Sequence, residues 1–262
     1  MLIREKDKTR ERNLLLNLLS EYGFSSIEDF QKKNLLIADG LFGNKSYAVL
    51  YELLLVPKNV GFEGGYYKVK TEKKSIVWHH SAGWDDSRAM FKWWLRDGRK
   101  HVATAIGIQD DGTLHRGFNE EYWGHHIGCK NKHFAEFGLP NINHKLNTQS
   151  VAVEVCSAGA LEDDGKSWFG YQVPKDRVIE LEYKGKSLFE TITTAECCTL
   201  RLWTLLNGLR YAIPLYYREF DMWNVSKDAL AGVGGLYTHN SFRHDKSDIS
   251  PQPKVVKMAK EL

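Results

Sequence analysis

Ten histidines are spread along the 262-residue chain, and those able to do chemistry are the ones that other donors can join. His79 and His80 close the apolar run Ile76-Val77-Trp78 and stand just before Ser81-Ala82-Gly83. A rigid strand ending in an accessible Gly-containing loop is a common place for functional groups. Taken alone, the two imidazoles fit a surface pair equally well. His239 and Asp248 lie nine residues apart, which on a straight helix would point them in opposite directions, at about 100° per residue. Pro251 and Pro253 argue against a helix there, so a loop is expected to fold Asp248 back toward His239. Imidazole and carboxylate are both zinc donors, and a catalytic zinc site keeps three protein ligands with one position open. His239 and His244 also share a zinc-finger-like spacing, but no paired cysteines accompany them.

Glu154 interrupts the apolar run Val151-Ala152-Val153-Glu154-Val155-Cys156. Alternation along a strand puts Ala152, Glu154 and Cys156 on one face and the valines on the other. Burial raises a carboxylate's pKa and suits it to accepting and returning a proton. A Glu paired with a Lys or Arg, or facing water at a sheet edge, is the alternative. Lys246 sits two residues before Asp248, and in an extended loop both point the same way. A cation placed there stabilises an oxyanion, or is simply a solvated loop lysine.

The elements that must position these groups follow from the pattern. Leu14, Leu15, Leu18 and Leu19 recur at helical spacing before Gly23, and Ser25 with Glu28 reads as a capping box for a second helix. A third helix is expected over about residues 45–54. Residues 1–57 therefore read as a small helical domain, residues 58–74 as a linker with Gly61, Gly64 and Gly65, and residues 75–262 as the main domain. In the latter, Ile76–His79, Ala103–Gln109 and Val151–Cys156 read as buried strands. Asp110–Thr113 is a turn, and Ser87–Arg96, capped by Ser87, and Thr194–Tyr211 are helices. Val178–Thr193 reads as a hairpin centred on Lys184-Gly185-Lys186. The fold class is α/β: a central mixed sheet flanked by helices, its site at the strand ends, preceded by three helices.

Composition excludes several classes. The net charge is +3, with 36 basic residues against 33 acidic, so nucleic acid is not an expected partner. Met1–Asn13 carries dense charge and no apolar core, which argues against a signal peptide, and no run approaches the roughly 20 residues a membrane span needs. Cys129, Cys156, Cys197 and Cys198 show neither metal nor disulfide spacing and suit core packing in a reducing cytosol.

Two resemblances sharpen this reading. Phe30-Gln31-Lys32-Lys33, Leu36 and Asp39-Gly40-Leu41-Phe42-Gly43 resemble the repeat of small three-helix peptidoglycan-binding domains. Val77–Gly83, the Asp111-Gly112-Thr113 turn, Trp123-Gly124-His125-His126-Ile127-Gly128, Ser150–Glu154 and His239–Pro253, in that order, resemble the zinc N-acetylmuramoyl-L-alanine amidases. That group contains phage endolysins, muropeptide amidases and peptidoglycan recognition proteins. The resemblance implies zinc held by His79, His239 and Asp248, with Glu154 as acid/base and Lys246 polarising the substrate. It places His126 in the substrate groove, with His80, Trp84 and Trp123 as further candidate contacts and Trp168 as another ring that could stack on sugar faces. Relatives that lean on a tyrosine carry it where this chain has approximately Thr104, which favours the arrangement built on Glu154. Relatives that only bind peptidoglycan lack the third ligand, so the presence of Asp248 favours an enzyme. The implied protein is a monomeric peptidoglycan hydrolase made in the bacterial cytoplasm and acting on the wall of a phage host. A cytosolic muropeptide recycler and a non-catalytic recognition protein are the alternatives.

Overall fold

Runs rich in Val and Ile become strands because their branched side chains fit a pleated, buried surface. The computed structural model describes residues 2–262. At the amino-terminal end are β1 (Ile3–Arg4), α1 (Arg10–Glu21), α2 (Ile27–Lys33), β2 (Leu41–Phe42) and α3 (Asn44–Leu55). Then come β3 (Lys58–Asn59), β4 (Ser75–His80), α4 (Ser87–Arg96), β5 (Ile106–Ile108) and β6 (Leu114–Arg116). They are followed by α5 (Asn131–Ala135), α6 (Asn143–Thr148), β7 (Ser150–Val155) and β8 (Ala160–Leu161). The chain continues with β9 (Val178–Tyr183), β10 (Lys186–Glu190), α7 (Thr194–Tyr211), α8 (Phe220–Trp223), α9 (Lys227–Ala231), β11 (Gly235–Thr238) and α10 (Pro253–Lys260).

A six-stranded sheet in the order β11-β4-β7-β5-β6-β3 forms the centre. Its first four strands run parallel, β6 is antiparallel to β5, and β3 is parallel to β6, so the sheet is mixed. Helix α7 is buried on nearly every side, from Leu200 through Leu209, and its Thr204 hydroxyl accepts the indole N–H of Trp78 at 3.0 Å. Its start is fixed by a capping box, Thr193 with Glu196. Val77, Ala152 and Tyr237 pack in a second apolar cluster with Ile127, Phe134 and Leu146. Gly107 lets α4 close on the sheet, because a Cβ there would fall 2.6 Å from the Cβ of Ser87. Among the described residues, no helix is long and apolar enough to cross a membrane.

Several local expectations shift by a residue or a few. The cap of α2 is Ser26, whose hydroxyl accepts the Asp29 N–H, while the Asp29 carboxylate accepts the Ser25 N–H. Asp86, not Ser87, caps α4, because its carboxylate reaches the N–H groups of both Arg88 and Ala89. The strand expected over Ala103–Gln109 contracts to Ile106–Ile108. The hairpin β9–β10 gains β8 as a third strand and makes a separate sheet. Cys197 is buried as expected, whereas Cys198 is exposed.

Residues 2–57 contain three helices, of which α3 packs along α7, and Leu15, Leu19, Phe30, Leu50 and Tyr51 belong to the same apolar cluster as Trp203 and Leu206. The Tyr51 hydroxyl donates to the buried Glu120, and the Arg210 guanidinium lies 4.9 Å from the centre of the Tyr47 ring. Residues 58–74 are likewise tied down: β3 adds to the sheet edge, Phe62 is buried against Phe91, and Tyr67 bridges to Trp123.

Candidate metal centre

Parallel strands deliver their carboxyl ends to one rim of a sheet, which is where open α/β sheets place ligands. The register aligns His79 on β4 with Glu154 on β7, and Trp78 with Thr238 on β11. His239, the residue after Thr238, therefore arrives beside His79. A short 3-10 turn, His239–Ser241, then starts the loop that returns Asp248. His79, His239 and Asp248 are all buried, and each points one donor atom at the others. The separations are 3.1 Å between the two Nδ1 atoms, 3.0 Å from His239 Nδ1 to Asp248 Oδ2 and 3.4 Å from His79 Nδ1 to the same oxygen.

Hydrogen bonds behind the rings settle where the imidazole protons sit. His239 Nε2 lies 2.8 Å from the carbonyl of Ile127, which can only accept, so Nε2 carries the proton and Nδ1 a lone pair. The Ser150 hydroxyl spends its proton on the Leu146 carbonyl at 2.7 Å and accepts from His126 Nε2 at 2.8 Å. His126 Nδ1 is thereby an acceptor, 3.0 Å from His79 Nε2, which donates to it. His79 Nδ1 is left with a lone pair as well. Three electron-rich atoms thus face one another with no proton between them, an arrangement that a cation satisfies. A tetrahedral ion with bonds of about 2.0–2.1 Å holds its ligand atoms about 3.3 Å apart, which the observed triangle fits.

The surroundings maintain that donor set. Burial, then the neighbouring His239, lowers the His79 pKa to about 4. Burial pushes the Asp248 carboxyl up, but the surrounding histidines, His239 first and then His79 and His80, outweigh it and hold Asp248 well below the usual range. Imidazole neutral and carboxylate ionised is the state a divalent cation needs. In chelated protein the His79 ring is therefore expected to stay neutral from pH 7 down to pH 5, where an ordinary histidine of pKa about 6.5 is charged. Long-range nitrogen NMR checks this, and a His79 titration near 6.5 would contradict it.

The loop carrying Asp248 is braced from three sides. His80 Nδ1 accepts the Ile249 N–H at 3.3 Å, and the Asn240 amide donates to the Asp248 carbonyl. Ile249 holds φ at 49°, a left-handed conformation costly for a β-branched residue, so the bracing fixes a strained turn beside the ligand. Gly159 makes room for His80, because a Cβ there would lie 2.2 Å from the ring. From the β9–β10 turn, the Lys184 ammonium donates to Asn240 Oδ1 at 3.1 Å and to the carbonyls of His244 and Lys246. Sequence reading missed Lys184, because a lysine in a hairpin turn carries no sign of where the hairpin folds.

Glu154 lies in the same cleft, and its Oε2 is buried without a hydrogen-bond partner. Burial, reinforced by Asp248 and opposed by Lys246, raises its pKa well above the ordinary value. Lys246 lines the cleft, whose volume is about 340 Å³. Trp93, Trp94, Arg99 and Arg243 also line it, and none of these was singled out from the sequence. For Trp93 and Trp94 the nearest sequence sign is the amphipathic pattern of α4, which leaves Trp93 exposed.

The other expected contacts are placed differently. Trp123 is buried and stacks on Tyr67, centroids 4.0 Å apart, so its ring is spent on packing and does not line the cleft. Trp84 is exposed but packs on Phe169 and Tyr171 outside the cleft lining. Trp168 is also exposed, its indole N–H held by the Ala82 carbonyl at 2.6 Å. His80 and His126 do line the cleft, yet their ring nitrogens are engaged with Ile249, His79 and Ser150. Such partners behind a metal-binding imidazole typically tune affinity, so His126→Ala or Ser150→Ala is expected to weaken zinc binding by about 10–100-fold. Competition against a chromophoric chelator measures it, and unchanged affinity in both variants would contradict the relay.

No protein-family model matches the chain, and no curated protein matches it. Among solved structures, the chain is similar to the endolysin N-acetylmuramoyl-L-alanine amidase LysCS from Clostridium intestinale, at 14% identity over 73% of this chain and 85% of that one, TM-score 0.40. It is also similar to the Ph2119 endolysin of a Thermus scotoductus bacteriophage, at 14% identity over 75% and 91%, TM-score 0.38. Drosophila PGRP-LB aligns at 12% identity over 72% and 79%, TM-score 0.34. Likenesses this distant decide neither family nor activity, and the functional reading rests on the site itself.

Proposed function

We propose that the chain is a zinc-dependent N-acetylmuramoyl-L-alanine amidase, cleaving the amide between the lactyl group of N-acetylmuramic acid and L-alanine in peptidoglycan. The observation that carries this is the buried His79–His239–Asp248 triangle set beside an unpartnered, buried Glu154 in an open cleft. Zinc at the triangle would supply Lewis acidity and an activated water at neutral pH. Glu154 takes the proton of the attacking water and returns it to the departing alanine nitrogen, a task suited to a carboxyl whose pKa is raised. Lys246 contributes positive charge at the rim where an oxyanion develops. The resemblance of the motifs, in their order, to those of peptidoglycan amidases supports this amide as the substrate. Within that class we favour a phage-type lytic enzyme over a muropeptide recycler, on the likeness of residues 30–43 to wall-binding repeats.

Mass spectrometry of digested sacculi tests the proposal. The expected result is stem peptides with new amino-terminal alanine, lost on chelation and restored by zinc. Sedimentation with sacculi and no new alanine ends would overturn it in favour of a recognition protein.

A further inference from the structure

A second concavity lies on the far side of α4 from the metal cleft, sharing none of its lining residues. It is a cavity of about 410 Å³ between the sheet edge at β3 and helix α4. Volumes of roughly 300–1,000 Å³ are usual for small-molecule sites. Lys58, Arg88 and Lys92 line it together with Asn59, Phe91 and His115, and no acidic residue does. Among the described residues, none of the three cations has an ion-pair partner, although Asp111 is close enough to act on Lys58 and, with Asp86, on His115.

Arg88 is held in place from behind. His115 and Ser87 are almost completely buried. The Ser87 hydroxyl reaches Gln109 Oε1 at 3.5 Å and takes the His115 Nδ1 proton at 2.6 Å. His115 Nε2 is thus an acceptor, and Arg88 Nε donates to it at 3.0 Å. The guanidinium is oriented through Nε alone, which leaves both Nη groups for a ligand. A fork of two N–H groups matches the oxygens of a phosphate or carboxylate. Three unpaired cations exceed what one carboxylate neutralises and suit a phosphate dianion, while Phe91 offers an apolar wall to an organic remainder.

We propose that the cavity bounded by Lys58, Arg88, Lys92 and His115 binds a small organic phosphate, with the Arg88 fork as its main contact. The site is independent of the amide-hydrolysing cleft, though α4 forms a wall of both. Calorimetric titration with inorganic phosphate and with glycerol 3-phosphate, at fixed ionic strength, tests it, with acetate as the carboxylate control. Saturable binding of the phosphates is expected, weakened by about tenfold or more in Arg88→Ala, the scale of a charge-assisted hydrogen bond. Lys92→Ala, at an exposed position without a partner, is expected to weaken it in the same direction. Absence of saturable binding, wild-type affinity in both variants, or acetate binding as tightly as phosphate would overturn the proposal. Arg88-dependent binding to anionic vesicles without binding of soluble phosphates would also overturn it, in favour of a membrane surface.

Discussion

Glu154→Gln is expected to lower amide hydrolysis by about 10²–10⁴-fold, the range for losing a positioned general acid–base, while zinc binding stays within a few-fold of wild type. The substitution keeps size and polarity and removes only the ability to exchange a proton. Glu154 is not part of the donor triangle, and its Oε2 has no protein hydrogen bond to lose, so the fold has little reason to change. Removing a buried group whose ionisation is unfavourable should leave thermal stability unchanged or improved. Turnover on purified sacculi, zinc content and melting temperature together make the check. Full activity in the variant would remove Glu154 from the reaction. Loss of zinc along with activity would make it a structural support of the metal.

Deleting residues 1–57 is expected to abolish cooperative folding of the remainder. The removed helices cover one side of α7 and share a cluster with Trp203, Leu206 and Leu209. They also carry Tyr51, the hydrogen-bond partner of the buried Glu120. Each large apolar side chain stripped of its cover costs about 1.5–3 kcal/mol, and several such losses exceed the roughly 5–15 kcal/mol that hold a domain together. Urea unfolding of the 58–262 fragment followed by circular dichroism is the measurement. A cooperative transition with activity retained would show that the amino-terminal helices are a separable unit.

How much of this was legible in the sequence depends on whether the information was local. His79 and Glu154 stood out because each breaks or ends an apolar strand, and parallel pairing then makes them neighbours. The strand that presents His239 did not, since Gly235–Thr238 has only four residues and begins with glycine. His126 and Trp123 share one motif yet diverge in three dimensions, one bonded to His79 and the other stacked on Tyr67. Spacing alone cannot distinguish those fates, because both depend on residues remote in the chain. The same holds for Lys184 and for the Arg88–His115 pair, whose partners lie 62 and 27 residues away. Residues 58–74 read as a connection because glycine and lysine suggest a flexible path, whereas Phe62 and Tyr67 anchor the path to the sheet unit.

X-ray absorption at the zinc edge of the loaded protein asks most directly whether His79, His239 and Asp248 converge on one ion. Only nitrogen and oxygen neighbours at about 2.0–2.1 Å, with the outer-shell scattering of two imidazoles, are expected. Replacing His239 with alanine should remove one imidazole from that pattern. A sulfur shell near about 2.3 Å, or a spectrum unchanged by the replacement, would place the ion elsewhere and contradict the account.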